Sequence, residues 1–133
     1  MKKYIIDTQI LIWGIIAPEK ISTSIRTFLM GNAIFVSQVS LFEIAIKQRI
    51  GKLPELNLPI NRLIEITLQD GFHILPIANH HIHTYQDIPL LEHHKDPFDR
   101  LILATALAEN MPLISSDGNF KYYTPQITLI SND

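Results

Sequence analysis

Four acidic residues stand out because each falls where a strand or helix begins or ends: Asp7, Glu43, Asp99 and Asp117. Four unpaired carboxylates brought close would repel one another and hold some of their own protons unless a cation neutralised them. An all-oxygen ligand set favours Mg2+ or Mn2+ over zinc. The chemistry that suits such a centre is phosphodiester hydrolysis, in which one ion acidifies a water and a second can stabilise the leaving oxygen. Each acid also has an ordinary structural use. Asp7 could cap the helix that follows it. Ser40-Leu41-Phe42-Glu43 fits a capping box, and Glu43 with Lys47 makes a favourable i,i+4 pair. Asp96-Pro97-Phe98-Asp99 reads as an N-cap, a proline at the first helical position and an acid favoured by the helix dipole. Asp117-Gly118 is a common turn pair.

What separates the two readings is whether the surrounding elements bring the acids together. Tyr4-Ile5-Ile6 reads as a buried strand ending at Asp7, and Thr8 to Ile16 as a mostly buried helix. Pro18 is expected to open a second helix carrying Ile21, Ile25, Phe28 and Leu29 on one face, stopped by Gly31-Asn32. Ala33 to Ser37 follows as a strand and Val39 to Ile50 as a helix closed by Gly51. After a Pro-punctuated connection from Leu53 to Pro59, helical spacing returns over Ile60 to Gln69 and stops at Gly71. Phe72 to Ile77 is expected as a strand, Ala78 to Pro89 as a short helix and loop, and His93 to Asp96 as a polar connection. Phe98 to Glu109 is helical and apolar on most sides, with strands at Leu113 to Ser115 and Ile127 to Ile130. Strands alternating with helices predict an α/β fold with a parallel sheet covered on both faces. In such a sheet the strand ends share one edge, where ligands bind. Asp7 and Asp117 follow strands, while Glu43 and Asp99 lie in early helical turns, so all four can meet there.

The composition fits this picture. The 133 residues are 47% hydrophobic and 18% charged, as expected of one globular domain spanning residues 1–133. The absence of cysteine removes disulfides, thiolate metal sites and cysteine nucleophiles, and suits a reducing cytoplasm. Met1-Lys2-Lys3 looks like the start of a secretory signal, but Asp7 and Gln9 interrupt the apolar run. Ile10 to Ala17 is too short to span a bilayer, so no membrane association is expected. A formal charge of −2 gives no global pull on nucleic acid, so RNA binding would need a local basic patch or ions held by the acids. With only 5 glycines and no phosphate-cradling loop, P-loop and dinucleotide-binding enzymes are disfavoured.

The ordered motifs resemble PIN-domain ribonuclease toxins of the VapC type, from bacterial toxin–antitoxin pairs. The likeness runs nearly end to end. It rests on Tyr4-Ile5-Ile6-Asp7-Thr8, on Ser40-Leu41-Phe42-Glu43-Ile44-Ala45, on the run from His94-Lys95-Asp96-Pro97-Phe98-Asp99-Arg100 to Ala106, and on Ser115-Ser116-Asp117 with Phe120. The resemblance implies a three-layer α/β/α sandwich and a site in which Asp7, Glu43, Asp99 and Asp117 hold Mg2+ or Mn2+, Asp7 and Asp99 foremost. It further implies cleavage of RNA, a homodimer and a cognate antitoxin partner. Similar proteins often carry His where this chain has Gln9, a departure that bears on the subgroup more than on activity.

Around the acids, Thr8, Ser40, Asp96, Arg100 and Ser115 are candidates for supporting the ligands or touching RNA, with Asp96 more a cap than a ligand. Arg100 and Lys95 could contact phosphates, or Arg100 could balance the carboxylates. Lys47, Arg49 and Lys52 suit RNA, an acidic antitoxin tail or a solvated helix end. His80, His81 and His83, and His93 with His94, lack the helical His-Glu-x-x-His arrangement and are expected in solvated or structural roles, although His93 and His94 could reach a phosphate. Trp13, Phe28, Phe35 and Phe42 are expected in the core or a dimer interface. Two other functions remain open: a PIN-fold nuclease of RNA maturation or decay, and a binding module without turnover.

Overall fold

In the computed structural model, which describes residues 2–132, the apolar runs form five strands whose side chains alternate between two cores. The chain order is β1 (Lys3–Ile6), α1 (Thr8–Ile16), α2 (Thr23–Gly31), β2 (Ala33–Ser37), α3 (Gln38–Arg49), α4 (Ile60–Gln69), β3 (His73–Leu75), α5 (Asn79–Tyr85), α6 (Pro97–Glu109), β4 (Leu113–Ser115) and β5 (Leu129–Ser131). All neighbouring strands pair in parallel in the order β3-β2-β1-β4-β5. Tyr4 and Ile6 of β1 face one core with Ile34, Val36 and Ile114, packed by α1, α2 and α4. Ile5 faces the other with Phe35, Leu113 and Leu129, packed chiefly by α6. The period-2 pattern of a strand buried on both faces thus produces the expected three layers. Among the described residues, no helix is long and apolar enough to cross a membrane.

Several boundaries differ from the sequence expectation. Pro18–Lys20 makes only a 3-10 turn, and Ile21 is extended. The α2 helix starts at Thr23 because the Ser22 side chain accepts from the Ile25 amide. The α3 helix follows β2 without a loop, and its cap is Ser37, whose hydroxyl accepts from the Val39 amide. Ser40 is therefore inside the helix and fully buried, which overturns the capping-box reading. Positive φ at Gly51 and Gly71 matches their expected place as helix stops, while Asn110 takes the left-handed position after α6. Ile127 lies in the core ahead of β5 rather than in it.

Candidate active site

The strand order turns about β1: the chain runs outward through β2 and β3, then returns to add β4 on the other side. The crevice between the ends of β1 and β4 is where a parallel sheet offers room for a ligand. Asp7 directly follows β1 and caps α1, its Oδ1 accepting from the Ile10 amide at 2.9 Å. Its Oδ2 accepts from the Ser115 hydroxyl at the end of β4. The same Ser115 oxygen accepts from the Asp117 amide at 2.9 Å, and Asp117 Oδ1 accepts from the Asn119 amide at 2.9 Å. One serine thus links two of the four acids.

Glu43 reaches the crevice from α3. It is buried, its Oε2 lies 3.1 Å from Lys47 Nζ, and its Oε1 has no hydrogen-bond partner among the described residues. Asp99 comes from the first turn of α6, which Asp96 caps by accepting from the Phe98 and Asp99 amides, with Pro97 in the first turn. All four acids line one cleft of about 270 Å³, together with Thr8, Gln9, Lys47, Asp96 and Ser116. The local structural uses foreseen for Asp7, Asp96 and Asp117 are all present, and they coexist with convergence. At Asp96 and Asp117 the cap occupies only Oδ1, whereas at Asp7 the second oxygen also accepts, from Ser115.

The electrostatics are those of a crowded acidic site. Burial pushes the Asp7 carboxyl up to about 6, and the charges of Asp117 and Glu43 add to it, against the hydrogen bonds from Ser115 and Ile10. Burial pushes Asp99 up to about 7, helped by Asp96, Glu43, Asp7 and Asp117. An oxygen-only cluster with an orphaned buried carboxylate oxygen and two acids reluctant to ionise fits a hard divalent cation.

The flanking residues sort into supports and outsiders. The Thr8 hydroxyl donates to Ser40 Oγ at 2.9 Å, tying α1 to α3 beneath the cleft. Ser40 and Ser115 are buried, so they brace the site without facing solvent. Arg100 departs from the expectation of an RNA contact. It is only 3% exposed, and its guanidinium donates to the Ile88 and Pro89 carbonyls and lies over the Tyr85 ring. It closes the connection after α5 instead of reaching phosphate. Of the two places expected for Phe42, core or dimer interface, the core is excluded: it is 59% exposed and meets Phe98 edge-on.

His94 is the residue whose position the spacing concealed. It is 4% exposed, with Nε2 3.5 Å from Asp99 Oδ2 and 3.9 Å from Asp117 Oδ2. Its burial lowers its pKa. His93, by contrast, is exposed against Tyr122. No sequence signal separates His94 from His93: Phe120 and Tyr123, distant in sequence, pack against the His94 ring.

The second histidine group sits at the far end of α6. His80 and His81 Nε2 both meet Glu109 Oε2, at 2.5 and 2.6 Å, and His83 is exposed. The Ala78 amide donates to His81 Nδ1 at 3.0 Å, so the neutral ring carries its proton on Nε2 and donates it to Glu109. That tautomer makes the group a hydrogen-bonded clamp between α5 and α6, in keeping with the structural role expected of it, and denies a metal the His81 lone pair.

The PIN-domain family model matches residues 4–124. No curated protein matches the sequence. Among solved structures, the chain is similar to VapBC2 from Rickettsia felis bound to a DNA fragment from its promoter, with a TM-score of 0.70, 20% identity and coverage of 98% of this chain and 99% of that one. It is also similar to DNA-bound VapBC from Salmonella typhimurium, at TM-score 0.68 and 16% identity over 100% of both chains. A toxin–antitoxin complex from Klebsiella pneumoniae gives TM-score 0.67 and 17% identity over 98% of both chains. At these identities the likeness establishes a shared fold.

Proposed function

The chain belongs to the PIN-domain family, and from that premise we propose that it is a metal-dependent endoribonuclease, the toxin of a toxin–antitoxin pair. The observation that carries the reading is the meeting of Asp7, Glu43, Asp99 and Asp117 in one cleft, with Asp7 and Asp99 held partly protonated by burial and mutual repulsion. Such a cluster is unfavourable by itself and becomes favourable around a divalent cation, Mg2+ or Mn2+.

Asp7 and Asp99 would be the principal ligands, with Glu43 and Asp117 completing the set. A cation bound there supplies Lewis acidity for hydrolysis of an RNA phosphodiester. Ser115 orients the Asp7 carboxylate through its hydroxyl, and the Ile10 amide fixes the other oxygen. Glu43 Oε1, without a hydrogen-bond partner among the described residues, is open to the cation. Lys47 lines the same cleft beside Glu43 and offers a positive charge to a phosphate. Thr8 and Ser40 hold α1 and α3 in register under these groups.

The toxin reading adds a cognate antitoxin, a homodimer and a cytoplasmic location. It draws support from the VapBC and toxin–antitoxin complexes that share the fold across nearly the whole chain. The test is to incubate purified protein with RNA and Mg2+ or Mn2+, with and without chelator, and to express the chain with and without its neighbouring gene. Metal-dependent cleavage that vanishes in Asp7→Asn, with growth inhibition relieved by the neighbour, is the expected result. RNA retained without cleavage across several metals would favour a binding module. Cleavage without growth inhibition would favour RNA maturation or decay.

A further inference from the structure

Three buried polar side chains beside the cleft, Arg100, Tyr123 and His94, are arranged in a line that ends on two of the four acids. Arg100 Nη1 donates to the Pro89 carbonyl at 2.8 Å and lies 3.5 Å from the Tyr123 hydroxyl. Tyr123, 3% exposed, has that hydroxyl 2.8 Å from His94 Nδ1. His94 Nε2 has no hydrogen-bond partner among the described residues and faces Asp99 Oδ2 and Asp117 Oδ2.

The direction of the line follows from donor chemistry. A guanidinium only donates, so the Tyr123 oxygen accepts from Arg100, and His94 Nδ1 is the acceptor among the described residues that its own hydrogen reaches. With Nδ1 accepting, the neutral ring carries its proton on Nε2, pointed between the two carboxylates. The other tautomer would set a lone pair against two negative oxygens in a buried position. Neither Oδ2 accepts a hydrogen bond among the described residues, which leaves both facing Nε2. These two acids come from separate segments, α6 and the turn after β4, and His94 Nε2 is a group that approaches both.

We propose that Arg100, Tyr123 and His94 form a donor relay that positions the Asp99 and Asp117 carboxylates for the cation, with His94 acting as a positioning residue and not as a ligand. The inference rests on the reading of the four acids as a cation site. Partners of this kind, which orient metal ligands from behind, change metal affinity or activity by about 10–100-fold when removed.

The test is Mn2+ binding followed by electron paramagnetic resonance for wild type, His94→Leu, His94→Gln and Tyr123→Phe, each checked by thermal melting in chelator. His94→Leu should bind about 10–100-fold more weakly. Tyr123→Phe should show a smaller loss, because Nε2 remains but its tautomer is no longer enforced. His94→Gln, whose amide can donate near the same point, should recover most of the affinity. Electron spin echo modulation of the bound Mn2+ in wild type should show no directly coordinated imidazole nitrogen. Equal affinity in wild type and His94→Leu overturns the relay while leaving the cation site intact, and a directly coordinated nitrogen overturns it by making His94 a ligand. A wild type that binds no Mn2+ overturns the cation site and the relay together. Should His94→Leu fail to fold, Tyr123→Phe decides: unchanged affinity there overturns the relay.

Discussion

The Ser115 hydroxyl donates to Asp7 Oδ2 across the seam where β1 and β4 pair, joining residues 108 positions apart in the sequence. The parallel register sets Ile6 beside Ile114, and the Asp7 amide donates to the Ile114 carbonyl at 3.1 Å. The next side chains along both strands therefore meet at the cleft. Ser115→Ala should leave the fold intact, since its hydroxyl makes two hydrogen bonds, to Asp7 and from the Asp117 amide, each contributing only about 1 kcal/mol. It should weaken Mn2+ binding by about tenfold, because Asp7 loses the donor that orients it. Isothermal titration of Mn2+ into the variant checks this, and unchanged affinity would refute the role.

Asp7→Asn should abolish RNA cleavage by two or more tenfold steps, as expected when several kcal/mol of Lewis-acid stabilisation is lost. In chelator at pH 7.5 the same variant should melt several degrees higher than wild type, because it removes a buried charge repelled by Asp117 and Glu43. A lower melting temperature would show that the Asp7 charge is already compensated within the chain.

The pH response of metal-free protein follows from the same two acids. Asp7 and Asp99 have folded-state pKa values raised from 3.8 to about 6 and about 7. Between those values the folded chain binds more protons than the unfolded one, so these groups make stability fall as pH rises from about 4 to 7. Each pH unit over which one of them is protonated only when folded contributes about 1.4 kcal/mol. Urea midpoints in chelator should therefore decline across that window and level off above it, and saturating Mn2+ should raise the midpoint most at about pH 7 and above, where both carboxylates are ionised. A flat profile in chelator would contradict the strained cluster.

Glu109→Ala should destabilise the chain by about 1–3 kcal/mol by leaving the buried His81 donor without its acceptor. RNA cleavage by the folded variant should be unchanged, since Glu109 closes the end of α6 opposite Asp99. The hydrogen bonds from His81 and His80 lower the Glu109 pKa, so its contribution is present above 4.5 and is lost as pH falls through the depressed value. Zn2+ should give no melting shift that depends on His81. A zinc shift abolished by His81→Ala would reverse the tautomer assignment.

Local chemistry made much of this legible in the sequence. Tyr4-Ile5-Ile6, Ala33 to Ser37 and Leu113 to Ser115 are short apolar runs, and buried parallel strands need little else. The convergence of the four acids in one cleft was expected from strand direction for Asp7 and Asp117 and from the placement of helix starts at the same edge for Glu43 and Asp99. What escaped was set by contacts between distant segments. Ser40 carries a cap signature, but β2 passes straight into α3 and gives that role to Ser37. Arg100 sits beside an acid in sequence, yet one helical position further on its side chain points to the Ile88 and Pro89 carbonyls. His94 looks like one of a polar pair, and only the packing of Phe120 and Tyr123 against it draws it inward while His93 stays outside. Pro18 carries a helix-start signature, but the side chain that caps α2 belongs to Ser22.

The double use of the carboxylates has an evolutionary consequence. Asp7, Asp96 and Asp117 each hold a helix or turn start through one oxygen, and asparagine caps about as well as aspartate. At Asp7 or Asp117 a single exchange to Asn would therefore silence the proposed chemistry while the scaffold keeps every cap it had. Lineages of this fold can lose turnover without losing shape, so an inactive descendant stays foldable and open to selection for whatever its surface still recognises.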